Sequence, residues 1–490
     1  MKLGVLASLI PGARLVGSPD ATVRRLVHDS RQVRRGDLFV ALPGTKVDGH
    51  AFVRGALAKG AAAAIVERRI RLPRGTPLLV VPDAHVALGL AAHAMAGRPT
   101  ERLVTCGVTG SCGKTTTTYL MRSIFEAHGW PTGLIGTIEN IVGDRRVPST
   151  MTTPDAAVLA ACFGKMVRCG QKAVVMEVSS HSLHQKRTAG IHFHVGAFTN
   201  LSPEHFDYHR TMKSYREAKQ ILFEDLAPDA TAVLNADDKA SRFFAKATDA
   251  RVLWYGIDNP ADVRAEDLRL DTSSSRFTLV TPRGRVDVVT PLVGEYNVRN
   301  CLTAAAAAEA LEIPLETIAQ GIAAMESVRG RLEMVPSDRP FKVLVDYAHK
   351  TAALVNVLAT VGKLLKGDGR LVVVFGCGGD RDRKKRPKMA KAAEELADRV
   401  IVTSDNPRSE APQAIVKQIL RGFSSKDVPT VVLDRRAAIE LAINEAQPGD
   451  VIVIAGKGHE TYQIVGSETR PFDDFAVASE ILAGEKVERA

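Results

Sequence analysis

The stretch "GVTGSCGKTTTT", residues Gly107–Thr118, decides the fold predicted for the middle of this chain. It follows the apolar run "RLVTCG", which is typical of a buried strand. It precedes a helical pattern that ends near Gly129, with one apolar face made of Leu120, Met121, Ile124 and Phe125. A glycine-rich loop between a strand and a helix amino terminus presents backbone N–H groups to an anion. The sequence therefore predicts a phosphate-binding loop in an α/β domain.

Two side chains of this loop have predicted roles. Lys114 can reach the terminal phosphates of a nucleotide, and the Thr115 hydroxyl can ligate Mg²⁺. The loop departs from the strict GxxxxGK[ST] pattern, because Val108 stands where the first glycine is expected and Gly107 lies one position earlier. A glycine-rich turn without a ligand is the alternative interpretation. The GKT core between a strand and a helix favours the phosphate loop.

Alternating strands and helices extend outward from the loop, so the predicted fold class is α/β. Apolar strands are predicted in "KAVVMEV", "HVGAFTN" and "TAVLNADD" and, after residue 330, in "FKVLVDYAH", "RLVVVFGCGGD", "RVIVTSDNPR", "TVVLD" and "DVIVIAGKGHE". Such runs are typical of buried parallel strands, and open α/β sheets bind ligands at the carboxyl ends of their strands. The alanine-rich segment Thr303–Ile313 is predicted to be a helix.

Chain length and local pattern predict three domains. At about 150 residues per domain, 490 residues correspond to roughly three. We place the boundaries at 1–98, 99–329 and 330–490, with residues 96–102 as the first linker. In the first domain, "DLFVAL" predicts a strand and "HAFVRGALAKGAAAAIV" a helix that runs into another strand.

Composition narrows the function classes. The net charge of +10 is compatible with nucleic acid, a membrane surface or anionic small substrates. Lys and Arg are spread along the chain and no nucleic-acid-binding motif accompanies them, so anionic substrates are favoured. No apolar run approaches the roughly 18 residues of a membrane span. The six cysteines are sparse and form no CxxC pair, and the apolar start lacks a clear signal cleavage site, so we expect a cytoplasmic protein.

Three further residues are metal-site candidates. Glu177 ends one predicted strand, and His205 and Asp207 follow another. A carboxylate and a neutral imidazole beside a triphosphate can hold a divalent metal. The alternative is that the glutamate is simply solvated and that the histidine is an ordinary loop residue. From these residues alone, metal binding stays open.

An ordered set of motifs gives the chain a resemblance to the Mur ligases, the ATP-dependent amino-acid-adding enzymes of peptidoglycan precursor synthesis. The motifs run in family order from about residue 28 to 460: "DSRQVRRGDLFVALPGTKVDGH", "GVTGSCGKTTT", "TTPD", "MEVSSHSLHQKR", "TNLSPEHFDYH", "YREAKQILF", "NVRN", "GRLE", "VDYAH", "FGCGGDRDRKKRP", "SDNPRSE" and "GKGHE". Each motif is moderately specific, and the ordered set is very specific.

The resemblance implies three domains: a domain for the uridine nucleotide, a central P-loop-type ATPase domain with a mostly parallel sheet, and a Rossmann-like C-terminal domain. It implies that ATP phosphorylates the D-glutamate carboxylate of UDP-N-acetylmuramoyl-L-alanyl-D-glutamate. The amine of an incoming amino acid, meso-diaminopimelate, then attacks the acyl phosphate to give an amide, ADP and phosphate. The implied enzyme is expected to be a monomer that needs Mg²⁺ and binds no nucleic acid.

The resemblance also implies roles for residues of the nucleotide site. Thr115, Glu177 and His205 resemble the Mg²⁺ ligands of the family, and Lys219 resembles a lysine that is carbamylated and ligates a second Mg²⁺. Without the motif, Lys219 would be taken as an ordinary surface lysine. The expected ATP contacts are Gly110, Ser111, Cys112, Gly113, Lys114, Thr115, Thr116, Asn297, Asn300, Arg331, Asp346 and His349. For the two asparagines, a turn-forming role is the alternative.

Two further sets of residues carry the other implied substrates. The UDP-substrate contacts are expected at His28, Ser30, Thr45, Lys46, Val47, Thr152, Thr153, Ser179, Gln185 and Arg187. The amino-acid pocket is expected at Arg381, Asp405, Asn406, Pro407, Arg408, Gly456 and Glu460. Arg408 is expected to decide which amino acid is added. A guanidinium can bind the distal carboxylate of diaminopimelate through two hydrogen bonds and would repel the ammonium of lysine.

The chain departs from the family pattern at three positions. Cys112 replaces a polar residue of the phosphate loop and can make it oxidisable, Thr351 replaces a proline, and Ala411 stands where an acid is frequent. The alternatives are a folylpolyglutamate synthase, a nucleotide-binding regulatory protein without ligase activity, and a ligase that adds L-lysine or another amino acid. Only the last is a close competitor, since the first-domain motif, "DNPR" and the catalytic residues are all present.

Overall fold

The structure is a computed structural model that describes residues 1–44, 47–271, 273–365, 367–425 and 429–484. The chain divides into two compact units. The first comprises Met1–Val263 and Thr303–Ile318, and the second comprises Arg264–Leu302 and the chain from Ala319 onward. Among the described residues, no helix is both long enough and apolar enough to span a bilayer.

The first unit begins with a small α/β sheet. Its elements are α1 (Leu3–Leu9), β1 (Arg14–Val16), β2 (Arg25–Val27), β3 (Asp37–Val40), a short 3₁₀ helix (Gly49–Phe52), α2 (Val53–Ala58), β4 (Ala63–Val66), β5 (Leu78–Val80) and α3 (Ala84–Met95). The strand order is β1-β5-β4-β3-β2, and all neighbours are parallel except β1 and β5. Separate apolar clusters cover the two faces of the sheet, so the predicted strand–helix–strand pattern of this region is confirmed.

A larger sheet follows in the same unit. Its elements are β6 (Val104–Thr109), α4 (Lys114–Ala127), β7 (Thr132–Ile135), β8 (Glu139–Val142), β9 (Arg145–Pro148), α5 (Ala156–Arg168), β10 (Ala173–Glu177), α6 (Ser180–His184), β11 (Val195–Phe198), α7 (Phe206–His209), α8 (Met212–Glu224), β12 (Thr231–Asn235), α9 (Ser241–Ala247) and β13 (Arg251–Gly256). The order is β13-β12-β11-β6-β10-β7-β8-β9, with parallel pairing from β13 to β7. Strand β6 is central, because β10 and β11 flank it.

Helix α4 forms where the sequence predicts it. Its four apolar residues, Leu120, Met121, Ile124 and Phe125, are fully buried. The chain leaves the helix through Gly129, whose φ of +79° is readily adopted only by a residue without a Cβ. Burial of this face fixes the helix against the sheet, so its amino terminus stays at the carboxyl end of β6.

The second unit begins with an antiparallel meander. Its strands are β14 (Val263–Leu270), β15 (Ser275–Thr281) and β16 (Gly284–Thr290), which pair in sequence order. They are followed by α10 (Glu295–Ala310) and α11 (Leu315–Ala323), both of which contribute residues to each unit. The helix predicted over the alanine-rich segment is confirmed as far as Ala310.

The second unit ends with a region built on a six-stranded sheet, which has an apolar cluster on each face. The last two strands of this region form a separate two-stranded sheet. Its elements are β17 (Glu333–Met334), β18 (Lys342–Asp346), α12 (Thr351–Leu364), β19 (Leu371–Phe375), α13 (Lys385–Leu396), β20 (Arg399–Val402), α14 (Pro412–Ile419), a 3₁₀ helix (Leu420–Gly422), β21 (Pro429–Val431), α15 (Arg435–Asn444), β22 (Val451–Ala455), β23 (Tyr462–Val465), β24 (Glu468–Pro471) and α16 (Asp474–Ala483). The order is β17-β18-β22-β19-β20-β21, parallel except for β17. The α/β class predicted from the apolar runs is confirmed.

One local prediction needs correction. The strand predicted over "TVVLD" occupies Pro429–Val431 instead, because α15 begins soon afterwards and Asp434 caps it. The segment 96–102, which is predicted to be the first linker, has local structure of its own. It contains a 3₁₀ helix, Pro99–Glu101, in which Pro99 and Thr100 are buried.

Candidate active site

The phosphate loop lies at the carboxyl end of β6. Its backbone turns sharply at Gly110 and Gly113, which have φ values of +151° and +88°. A Cβ on Gly110 would lie 1.9 Å from Thr199 Oγ1, so no side chain fits there. Lys114 and Thr115 open α4, and Thr115 and Thr116 are buried. The loop therefore has the shape and the helix position that anion binding requires.

Asn200 fixes the loop from the next strand. The Ser111 N–H donates to Asn200 O at 2.8 Å, and the Cys112 N–H donates to Asn200 Oδ1 at 3.0 Å. The Asn200 amide donates back to Cys112 O at 3.1 Å, and the Thr199 hydroxyl donates to the same oxygen at 2.6 Å. The two residues directly after β11 thus hold both the N–H and the carbonyl group of Cys112.

Two lysine side chains meet on one carbonyl oxygen. Lys114 Nζ donates to Gly110 O at 2.8 Å and to Ser111 O at 2.9 Å. Lys219 Nζ also donates to Gly110 O, at 2.8 Å, and its residue is only 1% exposed. The prediction from the residues alone that Lys219 is an ordinary surface lysine is therefore wrong. Helix α8 buries it beside the phosphate loop.

The Glu177 carboxylate lies next to the first turn of α4. Thr115 Oγ1 donates to Glu177 Oε1 at 3.0 Å. Thr137 binds both carboxylate oxygens, Oε1 through its N–H at 2.7 Å and Oε2 through its hydroxyl at 3.0 Å. Glu177 is 1% exposed, so the alternative of a solvated glutamate is wrong. Three hydrogen bonds thus satisfy the oxygens of this buried carboxylate.

His205 joins this site through an aromatic residue. Tyr215 OH lies 3.1 Å from Ser111 Oγ and donates to Glu204 Oε2 at 3.3 Å. Glu204 Oε2 is 3.6 Å from His205 Nε2, and the Lys219 ammonium lies 4.5 Å from the centre of the Tyr215 ring. Asp207 is exposed at the start of α7, and no bond links it to this group.

The oxygen and nitrogen donors of this site fit a divalent cation bound with a nucleotide. Thr115 and Glu177 already share one contact, which is the hydroxyl–carboxylate pair that Mg²⁺ accepts beside a phosphate. His205 and Glu204 add an imidazole and a second carboxylate within 3.6 Å of each other. A tighter acid–histidine cluster exists elsewhere, at Glu67, Asp83 and His85. Hydrogen bonds explain it, because Asp83 caps α3 and Glu67 binds the Ala84 N–H.

The residues expected to contact the muramoyl dipeptide lie next to Glu177. Thr152 Oγ1 is 3.0 Å from Thr137 Oγ1, and Thr153 Oγ1 donates to Glu177 O at 2.8 Å. The remaining three form one chain of contacts: the Ser179 N–H binds Thr153 Oγ1 at 3.1 Å, Arg187 binds Thr153 O at 2.9 Å and Arg187 binds Gln185 Oε1 at 2.5 Å. The structure therefore brings all five together at the carboxyl end of β10.

The uridine candidates lie at one edge of the first sheet. His28 follows β2 and is exposed, while the backbone carbonyl of Ser30 accepts a bond from Lys59 Nζ at 2.9 Å. Val47 follows the parallel neighbour β3 and is 56% exposed. Thr45 and Lys46 lie outside the described residues. The loops after β2 and β3 thus share the carboxyl edge of the sheet.

The remaining nucleotide candidates belong to the second unit. Asn297 and Asn300 are buried in α10, where Asn297 Nδ2 donates to Val293 O at 2.9 Å and Asn300 Nδ2 donates to Asn297 Oδ1 at 3.1 Å. The turn-forming alternative for them is wrong, since both are helical. Arg331 lies 4.8 Å from the Tyr347 ring centre.

Two ionisable side chains lie at the carboxyl end of β18: Asp346 is its last residue, and His349 follows in the next loop. Burial raises the pKa of Asp346, whose oxygens accept the Leu332 and Ala348 N–H groups at 2.8 and 2.7 Å. Burial also lowers the pKa of His349 to about 3. His349 Nδ1 donates to Tyr347 O at 2.9 Å, which in the neutral imidazole leaves Nε2 as the acceptor.

The amino-acid candidates form a pocket at the carboxyl ends of β20 and β22. Asn406 Nδ2 donates to Glu460 Oε2 at 2.8 Å, and the Asn406 N–H donates to Asp405 Oδ1 at 2.6 Å. Gly456 has a φ of +117°, and a Cβ there would lie 3.0 Å from Asp405 Oδ2. The fully buried Lys457 donates to Asn406 Oδ1 at 3.3 Å and to Glu460 Oε2 at 3.2 Å.

Arg408 is held by its backbone and by one nitrogen of its side chain. The Arg408 N–H donates to Ile464 O at 3.0 Å, and Arg408 O accepts from the Gly466 N–H at 2.8 Å. Its φ is +52°. Nη1 donates to Gly379 O at 2.9 Å and to Asn406 O at 3.4 Å. Within the described part of the chain, no acceptor is bound to its Nε or Nη2, so two parallel donors remain for a carboxylate.

The loop after β19 closes against this pocket. A Cβ on Gly379 would lie 1.8 Å from Pro407 O, and one on Gly378 would lie 2.9 Å from Arg408 Nη1. Arg381 donates to the carbonyl of its neighbour Asp380 at 3.1 Å. The two glycines thus allow the backbone of one loop to lie directly on the other.

Sequence reasoning missed the residues that hold these groups in place. In the first unit they are Asn200, Thr137 and Glu204, and in the second they are Lys457, Arg386 and Arg435. Arg435 is fully buried against Asp474 and also donates to Ser404 O and Ala455 O. For Asn200, the available signal was an amide residue directly after an apolar strand. Arg386 and Arg435 lie on helices, and their carboxylate partners are 24 and 39 residues away.

Comparisons with known proteins agree with this geometry. Three family models match the chain: "Mur ligase family, catalytic domain" over residues 22–94, "Mur ligase middle domain" over 108–308, and "Mur ligase, glutamate ligase domain" over 330–458. The UDP-N-acetylmuramoyl-L-alanyl-D-glutamate–2,6-diaminopimelate ligase of Bacillus licheniformis is 46% identical over 95% of this chain and 96% of its own length. The ligase of that name from Geobacillus kaustophilus is 46% identical over 98% of both chains.

A solved structure extends the likeness to three dimensions. A structure of a ligase with the same name aligns with a TM-score of 0.73 and 31% identity over 99% of both chains. The α/β architecture, the phosphate loop and full-length similarity all lead to one conclusion: the chain is a ligase and belongs to the Mur ligase family.

Proposed function

We propose that this ligase uses ATP to join meso-diaminopimelate to UDP-N-acetylmuramoyl-L-alanyl-D-glutamate. One observation carries the proposal. Asn406 contacts both a guanidinium and a carboxylate, since Arg408 Nη1 lies 3.4 Å from its carbonyl and Glu460 Oε2 lies 2.8 Å from its amide. Opposite charges held on one residue complement the carboxylate and ammonium of a distal amino acid head group. The full-length relatives bear the name of this reaction.

The first half of the reaction belongs to the phosphate loop. A carboxylate oxygen of the D-glutamate attacks the γ-phosphorus of ATP, ADP leaves, and an acyl phosphate forms. Lys114 exchanges its loop carbonyls for phosphate oxygens and neutralises the charge that is transferred. Mg²⁺, held by Thr115, Glu177 and His205, supplies further charge neutralisation when it is bound. Gly110–Thr116 contact the phosphates, and Asn297, Asn300, Arg331, Asp346 and His349 contact the rest of the nucleotide.

Lys219 is proposed to act as a carbamate. Its amine adds to CO₂ and loses a proton, which converts a cation into an anion with two oxygen ligands. The remaining N–H keeps the bond to Gly110 O, which the amine already makes at 2.8 Å. Burial beside Tyr215 protects the modified group from bulk water. The carbamate oxygens of Lys219 would then be able to hold a second Mg²⁺, which would supply further charge neutralisation.

The second half of the reaction forms the amide. The amine of the incoming amino acid attacks the acyl carbon, phosphate leaves, and the amine loses a proton. Arg408 binds the distal carboxylate through Nε and Nη2, and Glu460 binds the distal ammonium. Arg381, Asp405, Asn406, Pro407 and Gly456 complete the pocket. Lysine lacks the distal carboxylate, so Arg408 disfavours it.

The UDP-substrate is proposed to bind along the first unit. His28, Ser30 and the segment 45–47 contact the uridine nucleotide, and Thr152, Thr153, Ser179, Gln185 and Arg187 contact the muramoyl dipeptide. Residues 1–98 contain 15 Lys and Arg and only 6 Asp and Glu, so most of the net charge of +10 lies there. This excess suits an anionic nucleotide substrate. We retain the division 1–98, 99–329 and 330–490, and a monomer, as part of the proposal.

The test measures phosphate release by the purified protein with ATP, Mg²⁺ and UDP-N-acetylmuramoyl-L-alanyl-D-glutamate. meso-Diaminopimelate and L-lysine are supplied in parallel, omission of the amino acid is the control, and mass spectrometry identifies the product. We expect release and a tripeptide product with diaminopimelate. A product with lysine alone would contradict the role of Arg408 but keep the ligase. No product with either, from folded protein that binds ATP, would contradict the proposed reaction.

A further inference from the structure

Arg386 and Arg435 are the two arginines among the largest side chains that the described part of the second unit buries completely. Arg386 is the one beside the amino-acid pocket. It lies in the first turn of α13, and its side chain is 0% exposed. Nη1 donates to Glu410 Oε2 at 2.9 Å and Nη2 donates to Glu410 Oε1 at 2.9 Å, which is a bidentate pair. Nη1 also binds Gln418 Oε1 at 2.8 Å, and Nη2 binds Gly378 O at 3.0 Å. No role in the proposed reaction accounts for this pair.

The pair joins the two loops that form the amino-acid pocket. Glu410 belongs to the loop after β20, and its Oε1 also accepts the Asp380 N–H at 2.7 Å from the loop after β19. Asp380 returns the contact, because its carboxylate accepts the Ser409 hydroxyl at 2.7 Å and the Ser409 N–H at 3.1 Å. The two loops are therefore tied together directly after Arg408.

Two adjacent carbonyl groups connect the buried pair to Arg408. Arg386 holds Gly378 O, and the next carbonyl, Gly379 O, accepts the bond from Arg408 Nη1 at 2.9 Å. The Gly379 N–H in turn donates to Asn406 O at 2.9 Å. A Cβ on Gly379 would lie 1.8 Å from Pro407 O, so this short backbone segment lies directly against the loop that carries Arg408. The direction of the Arg408 guanidinium therefore depends on where Arg386 holds Gly378.

We propose that the buried Arg386–Glu410 pair is a positioning device that sets the Arg408 guanidinium for the distal carboxylate of the incoming amino acid. This inference rests on the proposed function of Arg408. Neither Arg386 nor Glu410 touches substrate in it. They act on the choice of amino acid through the Gly378–Gly379 backbone. The low pKa of Glu410, about 2 because of its hydrogen bonds from Arg386, agrees with a pair that stays ionised.

The test compares E410Q and R386K with the natural protein. E410Q keeps the size of the side chain and removes the charge, while R386K keeps the charge and removes the bidentate fork. We expect the KM for diaminopimelate to rise about tenfold, because misplacement of a binding group by about 1 Å can cost up to about 100-fold. The KM values for ATP and the UDP-substrate should stay unchanged. The preference for diaminopimelate over L-lysine should fall by a similar factor.

Two control variants separate positioning from stability. D450N breaks another ion pair of the same sheet, Arg370–Asp450 at 2.7 Å, in which the aspartate is buried and the arginine is partly exposed. This pair lies at the opposite, amino-terminal ends of β19 and β22. It should lower the melting temperature and leave the KM for diaminopimelate unchanged. R383Q removes an exposed arginine 3.4 Å from the same Glu410 and should change neither quantity.

The experiment that tests this inference can fail independently of the experiment that tests the proposed function. The proposed function is tested by which amino acid, diaminopimelate or lysine, the natural protein adds. The role of the Arg386–Glu410 pair is tested by the ratio of the variant's KM to the natural protein's KM for that preferred amino acid. A lower melting temperature in E410Q and R386K with unchanged KM and preference would overturn the inference. Loss of the folded state in both variants would overturn it as well, because the pair would then serve the fold alone.

Discussion

The phosphate loop and the amino-acid pocket occupy equivalent places, the carboxyl ends of parallel strands, yet their charged groups are held differently. In the phosphate loop, Lys114 and Lys219 donate to a backbone carbonyl of the loop itself. In the pocket, the buried charges pair with one another, as Arg386 does with Glu410 and Arg435 with Asp474. The first arrangement is easily exchanged for a ligand, and the second is not.

The difference reflects what each region has to do. A bond from an ammonium to a neutral carbonyl is weaker than a bond to a phosphate oxygen, so Lys114 can exchange one for the other during a catalytic cycle. Breaking a buried ion pair leaves an uncompensated charge, so the walls of the pocket stay in place whichever substrate arrives. In the proposed function, phosphoryl transfer belongs to the exchangeable region, and the choice of amino acid belongs to the fixed one.

The largest effect that would sharpen this contrast is expected for K114A. Loss of the ammonium removes the charge that stabilises the transferring phosphoryl group, so kcat should fall about 1,000-fold. The melting temperature should hardly change, because Lys114 is only half-buried and pairs with no carboxylate. Phosphate release measures kcat, and thermal unfolding measures the melting temperature. The matched control is K246A, on the exposed side of α9, which should be fully active.

R408A should have the next largest effect and should confine it to the amino acid. Loss of a bidentate partner for a carboxylate costs about 2–5 kcal/mol, so the KM for diaminopimelate should rise about 100-fold with little change for ATP. R408K keeps the charge without the bidentate fork, so its KM for diaminopimelate should lie between those of the natural protein and R408A. Initial rates at varied diaminopimelate provide the measurement. Equal losses for every substrate would show that the arginine supports the loop and does not select.

E177Q should raise the requirement for Mg²⁺. An amide keeps the bonds from Thr115 and Thr137 in part but loses the negative charge that attracts a cation, so about 10–100 times more Mg²⁺ should be needed for half-maximal activity. T137V removes only the hydroxyl that donates to Glu177 Oε2 and should give a smaller shift of the same sign. Titrations of activity with MgCl₂ measure the Mg²⁺ concentration that each variant needs for half-maximal activity. An unchanged Mg²⁺ requirement would remove Glu177 from the metal site.

The smallest expected effect concerns pH and the pocket. The folded protein lowers the pKa of Glu410 from 4.5 to about 2, chiefly through its hydrogen bonds from Arg386. A lowered carboxyl pKa adds stability above the unfolded pKa, and this stability is lost as pH falls from 4.5 toward 2. Unfolding by urea at about pH 5 and about pH 3.5 should therefore show a steeper loss for the natural protein than for E410Q. Parallel losses would contradict the assignment.

Local pattern made the scaffold predictable, but not the contacts that complete its sites. The strand–loop–helix around Lys114 follows from short-range spacing, and its apolar face is buried as expected. The partners of Glu177 and Arg408 could not be predicted in this way. Thr137 is 40 residues from Glu177, and Gly379 is 29 residues from Arg408. Such contacts depend on how loops of different strands meet, and a single sequence does not encode that in its periodicity.

The backbone of Arg408 gives the pocket a consequence for its evolutionary history. Ile464 and Gly466 bind the peptide groups of residue 408, so the course of the loop does not depend on which side chain stands there. The positive φ of +52° favours asparagine or glycine over most other residues. A change of amino-acid substrate is thus open to single-codon replacements that leave the fold intact. We expect lineages with different cell-wall cross-links to have diverged at this position before the surrounding strands changed.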